Sequence, residues 1–143
     1  MAQIGGVYID GASLGNPGPS GIGVVFVDAQ EHPVAKLCKY VGETTNNVAE
    51  YLALLYALQE AQQRQFKALV VKTDSELLTK QLAGQYKVRD GTLRVLYDLA
   101  VHAIKGFESF QIAHIDRSRN ALADQLASEA IETRFDTSLK TVS

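Results

Sequence analysis

Residues 4–41 read IGGVYIDGASLGNPGPSGIGVVFVDAQEHPVAKLCKYV, and this stretch decides the fold. It contains three apolar, β-branched runs, at residues 4–10, 22–27 and 34–41, separated by segments rich in turn-forming or polar residues. Consecutive strands with such short connections pair antiparallel. The middle run is apolar almost without interruption, which is typical of a strand buried on both faces. The sequence therefore predicts that the chain begins with three antiparallel strands, the first of which closes at Asp10.

Beyond residue 44 the apolar residues change to helical spacing. Those from Val48 to Leu58 recur three or four positions apart, and the polar side chains of residues 45–47 can cap the start of a helix. Two further compact apolar runs, at residues 68–73 and 110–115, are predicted as strands. Helical segments follow or separate them, at residues 75–83, at residues 93–104 and from Asn120 onward.

This order of elements predicts the fold class. Three antiparallel strands followed by two α-linked strands indicate an α/β fold with a five-stranded mixed sheet and helices on both faces. The chain contains no internal repeat and no linker long enough to divide it. We therefore expect one domain over residues 1–135, followed by a polar tail over residues 136–143 that has no helical or strand periodicity.

The composition excludes several classes of protein. A chain of 143 residues with 46% apolar and 21% charged residues can bury a core and is not intrinsically disordered. The lone cysteine, Cys38, excludes an internal disulfide framework and favours a reducing compartment. No run approaches the ~20 apolar residues of a membrane span, and the first residues, MAQIGG, do not resemble an export signal. We therefore expect a cytoplasmic protein with no membrane partner.

The net charge argues against binding of nucleic acid through a basic surface alone. The chain has 14 lysines and arginines against 16 aspartates and glutamates, a formal charge of −2. Four of those acids nevertheless occupy unusual positions. Asp10 and Asp74 end predicted strands, and Glu50 and Asp124 lie in the first turns of predicted helices.

These four positions can bring the carboxylates together. In an α/β sheet, the carboxyl ends of strands and the first turns of the following helices meet at one edge, where ligands bind. Carboxylates gathered there repel one another unless cations lie between them. Ligation by oxygen atoms alone favours Mg²⁺, with Mn²⁺ as a workable substitute.

Each acid alone also has an ordinary structural explanation. An acid in the first turn of a helix interacts favourably with the helix dipole, which can account for Glu50 or Asp124. Asp74 can belong to the cap of the following helix, and Asp10 can belong to a turn at Gly11. The coincidence of all four positions favours a metal site.

The residues around the four acids resemble the type 1 ribonuclease H family. The matching segments occur in the family's order and at its usual separations, and they span almost the whole chain, from residue 4 to about residue 131. They are YIDGAS (8–13) with GNPGP (15–19), TTNN (44–47) leading into AEY (49–51), TDS (73–75), and Asn120 with AD (123–124) and LA (126–127). The first two segments are long and specific.

The resemblance implies a ribonuclease H-like fold and an endoribonuclease that hydrolyses the RNA strand of RNA/DNA hybrids. The products would carry 5′-phosphate and 3′-hydroxyl ends, and the hybrid would be the partner, with no obligate protein partner evident. By the same carry-over, Asp10, Glu50, Asp74 and Asp124 are catalytic residues that bind two Mg²⁺ ions, with Asp10 bridging them. Two such ions can clamp a scissile phosphate without any protein nucleophile.

Other residues of the matching segments suit contact with a substrate. A glycine lets a nucleic acid backbone approach closely. Asparagine amides can contact phosphate, sugar or the 2′-hydroxyl that distinguishes RNA from DNA, and a threonine beside a helix N-terminus suits a phosphate of the DNA strand. The glycine can also serve only a turn, and the asparagines only a helix cap. The predicted substrate-binding residues are Gly11, Ser13, Asn16, Thr45, Asn46 and Asn47.

One departure from the family concerns the loop before the last helix. Many family members carry a histidine there, whereas residues 116–120 of this chain read DRSRN. His114 lies earlier, within the predicted fifth strand, and we expect it to be structural. We hypothesise that Arg117 contacts a phosphate near the metals, acts with the catalytic residues and partly replaces the histidine.

A second departure is the absence of a Trp- and Lys-rich protrusion that some relatives insert after the third matching segment. Residues 84–91 read only GQYKVRDG, which places the chain in the branch without the basic protrusion. A diluted basic strip remains, and it predicts weaker, salt-sensitive binding of nucleic acid. The strip consists of Lys80, Lys87, Arg89 and Arg94.

These departures leave two alternatives to a ribonuclease. The first is a catalytically weak or inactive module that only binds RNA/DNA hybrids. The four acids argue against it, because concentrated negative charge repels a phosphate unless metals are bound. The second keeps the fold but acts as an exonuclease or a DNA-strand transferase. The asparagine-rich segment, suited to 2′-hydroxyls, favours the ribonuclease.

Overall fold

Six strands form one mixed sheet in the computed structural model, which describes residues 4–134 and 140–141. The strand order is β5-β4-β1-β2-β3-β6. The strands are β1 (Ile4–Ser13), β2 (Gly18–Val27), β3 (Pro33–Thr44), β4 (Ala68–Thr73), β5 (Ser109–His114) and β6 (Lys140–Thr141). The helices are α1 (Asn46–Gln63), α2 (Glu76–Leu82), α3 (Gly91–Ile104) and α4 (Ala121–Thr133), and a 3-10 turn (Arg117–Arg119) precedes α4.

The pairing of the five long strands confirms the predicted mixed sheet. β1 pairs antiparallel with β2, and β2 pairs antiparallel with β3. β4 lies parallel to both β1 and β5. The segment predicted as a tail contributes β6, a two-residue strand that pairs antiparallel with β3. The rest of that segment lies outside the described residues.

The first three strands extend further than the sequence predicts. β1 continues past Asp10 to Ser13, because Gly11 pairs with Ile22 and Ser13 pairs with Ser20 across to β2. The prediction that Asp10 closes the first strand is therefore wrong. The turn-rich composition of residues 11–19 concealed a ladder that a neighbouring strand supplies.

Alternating side chains on β1 and β2 build a separate core on each face of the sheet. Val7, Ile9 and Val24 belong to the main core, which the fully buried Leu54 and Leu58 of α1 complete on one face. The other face carries a smaller cluster in which Val25 and Val27 pack with Ala123 of α4, joined by Tyr8 and Leu122. Neighbours in a strand point to opposite faces, so α1 and α4 cover opposite sides of the sheet. This confirms the helices predicted on both faces and the burial of β2 on both faces.

Two glycines of β2 set the close approach of α4. A Cβ atom on Gly21 would lie 2.4 Å from the carbonyl oxygen of Ala127, and one on Gly23 would lie 2.2 Å from that of Ala123. Only glycine fits at such distances. The backbone of α4 therefore rests directly on β2.

In the part of the chain that the structure describes, none of the helices is both long and apolar enough to cross a bilayer.

Candidate metal centre and active site

Three carboxylates converge where β1, α1 and β4 meet. Asp10 lies within β1, Glu50 lies in the second turn of α1, and Asp74 follows the last residue of β4. Each offers an oxygen atom, and these three atoms lie within 4.8 Å of one another. The sequence predicted this convergence of strand and helix ends. All three ligand atoms are oxygen, so the donor set suits a hard divalent cation.

The backbone after Asp10 holds Glu50 in place. The amide of Gly11 donates a 2.7 Å hydrogen bond to Oε1 of Glu50. A Cβ atom on Gly11 would lie 2.3 Å from the carbonyl carbon of Ala49, so a larger residue would push α1 away from β1. Gly11 therefore brings α1 close to the sheet and fixes the orientation of the second carboxylate.

The fourth acid, Asp124, reaches the same place from the other face of the sheet. Gly23 lies directly opposite Asp10 in the β1–β2 pair, and α4 contacts the sheet there through Ala123. Asp124 is the next residue of that helix, and it affects the pKa of Asp10 by both a side-chain hydrogen bond and charge repulsion. Its own partner is Arg117, whose Nη2 lies 3.6 Å from Oδ1.

The crowding of the carboxylates favours their protonated forms. Burial, followed by repulsion from Glu50 and Asp74, raises the pKa of Asp10 from its ordinary 3.8 to about 9. Burial is also the main cause that raises the pKa of Glu50 from 4.5 to about 8, against the opposing hydrogen bond from Gly11. A divalent cation among the three oxygens would remove this penalty by favouring the ionised forms. The site therefore fits the predicted metal.

An open cavity of about 580 Å³ surrounds the carboxylates, and we call it the carboxylate cavity. Arg117 lines it, as predicted, with its side chain 79% exposed. His114 also lines it and is exposed at the end of β5, so the expectation of a structural histidine is wrong. Strand alternation alone could not decide the direction of that side chain. The residues that line the cavity are Asp10, Gly11, Ala12, Ser13, Asn46, Glu50, Asp74, His114, Ile115, Asp116, Arg117 and Asp124.

Three predicted substrate-binding residues are linked by hydrogen bonds beside this cavity. The amide of Ser13 donates to Oδ1 of Asn46 over 2.8 Å, and the amide of Asn46 donates to Oδ1 of Asn16 over 3.0 Å. The Ser13 hydroxyl also contacts Ser20 and the carbonyl oxygen of Thr44. The loop after β1 and the start of α1 therefore form one connected polar surface.

A neighbouring cavity of about 340 Å³ carries amide and hydroxyl groups, and we call it the amide cavity. Asn16, Thr45 and Asn47 line it, which brings together three of the predicted substrate-binding residues. Thr45 is also the N-cap of α1, since its Oγ1 accepts from the amide of Val48 over 3.2 Å. The cap that was weighed for the asparagines is thus supplied by the threonine. Asp90 at the start of α3 forms part of the opposite wall.

The predicted basic strip lies between α2 and α3. Lys87, Arg89 and Arg94 line a further cavity there, and Lys80 stands beside it on α2. Lys80 is bound to Glu76 over 2.9 Å, and Arg94 is bound to Asp98 over 3.3 Å. The strip is therefore partly neutralised by its own helices.

Comparison with known proteins decides the family. A family profile described as reverse transcriptase-like matches residues 8–130. Ribonuclease HI of Halobacterium salinarum is 41% identical over 125 residues, which are 87% of this chain and 63% of that protein. The chain belongs to the type 1 ribonuclease H family. Members of this family depend on divalent metals, and the acidic group that such a metal requires is present here.

Solved structures of family members agree closely with this fold. The crystal structure of ribonuclease H1 from Halobacterium salinarum superposes with a TM-score of 0.89 at 39% identity, over 92% of this chain and 99% of that one. LC11-RNase H1 in complex with an RNA/DNA hybrid gives a TM-score of 0.86 at 40% identity, over 91% of this chain and 98% of that one.

Some family members are longer than this chain. A bifunctional protein of Mycobacterium tuberculosis is 37% identical over 127 residues, which are 88% of this chain and 35% of that protein. The chain thus spans less than two thirds of the length of the Halobacterium and Mycobacterium relatives.

Proposed function

We propose that this chain is an endoribonuclease that hydrolyses the RNA strand of RNA/DNA hybrids. The observation that carries the proposal is the convergence of the Asp10, Glu50 and Asp74 oxygens within 4.8 Å in an open cavity. Two relatives support it, one named ribonuclease HI and the other solved with an RNA/DNA hybrid.

Four carboxylates are proposed to hold two Mg²⁺ ions, with Mn²⁺ as a possible substitute. Asp10, Glu50 and Asp74 form the tight group, and Asp124 completes the set from α4. When bound there, the ions would supply activation of water and neutralisation of charge at the scissile phosphate. An all-oxygen donor set in an open cavity, where an ion keeps some of its waters, favours Mg²⁺.

The protein's own groups orient the carboxylates and the strand. Gly11 fixes the Glu50 carboxylate through its amide. Arg117 adds a positive charge beside Asp124, where it also lowers the pKa of Glu50 and can meet a phosphate oxygen. A water oxygen attacks the phosphorus, the bond from phosphorus to the 3′ oxygen breaks, and the products are a 5′-phosphate and a 3′-hydroxyl.

The connected polar surface is proposed to recognise the hybrid. Asn46 and Ser13 lie at the carboxylate cavity, where the 2′-hydroxyls of the cut strand would pass. Asn16, Thr45 and Asn47 lie at the amide cavity, whose neutral donors suit a phosphate of the other strand. A reducing compartment, the cytoplasm, is the proposed setting, because Cys38 is the chain's lone cysteine and is unpaired.

A strand-cleavage assay tests the function. A labelled RNA/DNA hybrid, a single-stranded RNA and a DNA duplex are incubated with the protein in Mg²⁺ or Mn²⁺. We expect internal cuts only in the RNA of the hybrid, and none with EDTA or with Asp74→Asn. Retention of the hybrid without cleavage would instead indicate a binding module, and cleavage by Asp74→Asn would contradict the metal assignment.

A further inference from the structure

A cavity of about 390 Å³ between α2 and α3 combines positive charge with aromatic rings, and we call it the basic–aromatic cavity. This volume lies within the roughly 300–1,000 Å³ typical of small-ligand sites. The residues that line it and carry the argument are Gln81, Tyr86, Lys87, Arg89, Arg94 and Tyr97.

Two of its cations are available to an anion. The structure gives Lys80 and Arg94 acidic partners on their own helices, at 2.9 and 3.3 Å. Neither Lys87 nor Arg89 makes an ion pair with any residue that the structure describes. The adjacent Asp90 is engaged as the cap of α3, where Oδ2 accepts from the amide of Leu93 over 2.9 Å. The cavity therefore carries net positive charge.

Two tyrosines supply flat apolar surface beside these charges. Tyr86 is 43% exposed, which is unusual for a large apolar ring, and Tyr97 lines the same cavity. The Lys80 ammonium lies 5.0 Å from the Tyr86 ring centroid, and the Arg94 guanidinium lies 5.6 Å from that of Tyr97. Aromatic rings bordered by cations are the combination that binds a base and its phosphate together in unpaired nucleic acid.

The loop that carries Tyr86, Lys87 and Arg89 is held in shape from beneath. Gln81 is 4% exposed, and its Oε1 accepts from the Tyr51 hydroxyl over 2.6 Å. Its Nε2 donates to the carbonyl oxygen of Lys87 over 3.3 Å. The hydrogen bonds of this buried amide tie the loop to α1, so a ligand would meet a formed cavity and would not have to order the loop.

The basic–aromatic cavity adjoins the proposed hybrid-binding surface. Arg89 and Arg94 line it, while Asp90 and Leu93, between them in sequence, line the amide cavity. The amide cavity in turn adjoins the carboxylate cavity through the consecutive residues Asn46 and Asn47. A strand leaving the hybrid therefore has a continuous polar route to the basic–aromatic cavity.

We propose that the basic–aromatic cavity binds an unpaired nucleotide of a single strand that continues beyond the hybrid. Lys87 and Arg89 hold its phosphate, and Tyr86 and Tyr97 contact its base. Such a contact would direct the enzyme to hybrids that border single-stranded nucleic acid. The inference extends the proposed function, since it adds a second binding site for the same substrate class.

Binding measured without metal tests this site separately from cleavage. Fluorescence anisotropy in EDTA compares a blunt RNA/DNA hybrid with the same hybrid carrying a single-stranded DNA or a single-stranded RNA overhang. We expect at least one overhang to tighten binding about fivefold to tenfold, as stacking of one base on an aromatic ring supplies. Separate DNA and RNA arms show which strand enters the cavity. Equal affinities for blunt and overhanging hybrids would overturn the proposal.

Substitutions locate the effect. Tyr86→Ala and Arg89→Ala should each reduce the ratio of overhang to blunt affinity, whereas Tyr86→Phe should retain it. Lys105→Ala removes one exposed positive charge at the far end of α3 and should leave the ratio unchanged. A ratio insensitive to Tyr86→Ala would also overturn the proposal, as would equal Tyr86-dependent binding of polyglutamate, which has charge but no bases. A positive result in EDTA from a protein that does not cleave would refute the proposed function alone.

Discussion

The side-chain amide of Asn120 donates a 2.8 Å hydrogen bond to the backbone carbonyl of Ile9, across 111 residues of sequence. Ile9 immediately precedes Asp10, and Asn120 directly precedes the helix that carries Asp124. The Asn120 side chain makes no capping bond to α4 and is 1% exposed. Its one side-chain hydrogen bond among the described residues therefore ties the strand of one proposed metal ligand to the helix of another.

Asn120→Ala should weaken both the fold and the metal site. Losing a buried hydrogen bond of this kind costs about 1–3 kcal/mol of unfolding free energy, measured by urea denaturation. We also expect the Mg²⁺ concentration for half-maximal cleavage to rise, because Asp10 and Asp124 are no longer held in register. Val25→Ala, which leaves a void in the same small core, should lose comparable stability while the Mg²⁺ midpoint stays unchanged. A shared shift of that midpoint would show that lost stability alone explains the effect.

Gly23→Ala should displace α4 and with it Asp124. The new Cβ atom would meet the Ala123 carbonyl oxygen at 2.2 Å, so the helix must shift, at a cost of about 1–3 kcal/mol. Calorimetry in Mg²⁺ should show both a lower unfolding temperature and a smaller rise on metal addition. Gly91→Ala is the matched control, because its Cβ atom meets nothing within 4 Å. If Gly23→Ala gains as much stability from Mg²⁺ as the parent protein, the contact does not position Asp124.

Arg117→Ala should slow cleavage of the hybrid about tenfold, a smaller loss than removal of a buried electrostatic donor causes, because the side chain is 79% exposed. The variant removes the positive charge beside Asp124 and Glu50. Arg119→Ala, in the same 3-10 turn, lines a different cavity and should cleave at the parent rate. An undiminished rate in Arg117→Ala would refute the idea that it replaces a loop histidine, and His114→Ala would then test the other cavity residue.

Without metal, stability should fall as pH rises from 5 to 9. The folded pKa values of Asp10 and Glu50, about 9 and about 8, exceed their ordinary 3.8 and 4.5, so the folded state binds more protons than the unfolded state. That stabilisation is complete below pH ~4 and is lost as the pH passes through the folded values. Thermal unfolding in EDTA should therefore show a temperature that decreases by several degrees over this range, at roughly 2–4 °C per kcal/mol.

Asp10→Asn and Mg²⁺ provide the controls for this pH profile. Asp10→Asn removes the most strongly shifted group, so its unfolding temperature in EDTA should decrease less with pH and should exceed that of the parent protein at pH 8. Mg²⁺ should raise the parent's unfolding temperature more at high pH than at low pH, because it competes with protons for the carboxylates. A flat or rising EDTA profile in the parent protein would contradict the crowding of charge.

The sequence predicted best where local pattern and pairing agree. The strand at residues 68–73 was predicted with the bounds it has in the structure, since it is a short apolar run buried beside two neighbours. Strand β1 was predicted too short because Gly11 and its neighbours have turn-like composition, and only pairing with β2 keeps them extended. The Gly23–Ala123 contact could not be predicted either, because it depends on how closely a distant helix packs.

The site followed the same division. Three acids were predicted to converge because topology places strand ends and helix starts at one edge, and the oxygens of Asp10, Glu50 and Asp74 do so. The side-chain direction of His114 at the end of β5 depends on the register with β4, which the sequence does not display. Similarly, the strip of basic residues was visible in the sequence, but its enclosure with Tyr97 arises only when α2 and α3 pack.

The position of Asp124 on a helix that rests on β2 has a consequence for protein synthesis. β1 emerges from the ribosome early with Asp10, but α4 ends only at Thr133, so the fourth carboxylate reaches the sheet when almost all of the domain has been made. Until then, the open face of β2 exposes Gly21 and Gly23 with nothing packed against them. A nascent chain would therefore acquire its full set of metal ligands only as translation of the domain is completed, and incomplete chains would have no competent nuclease site.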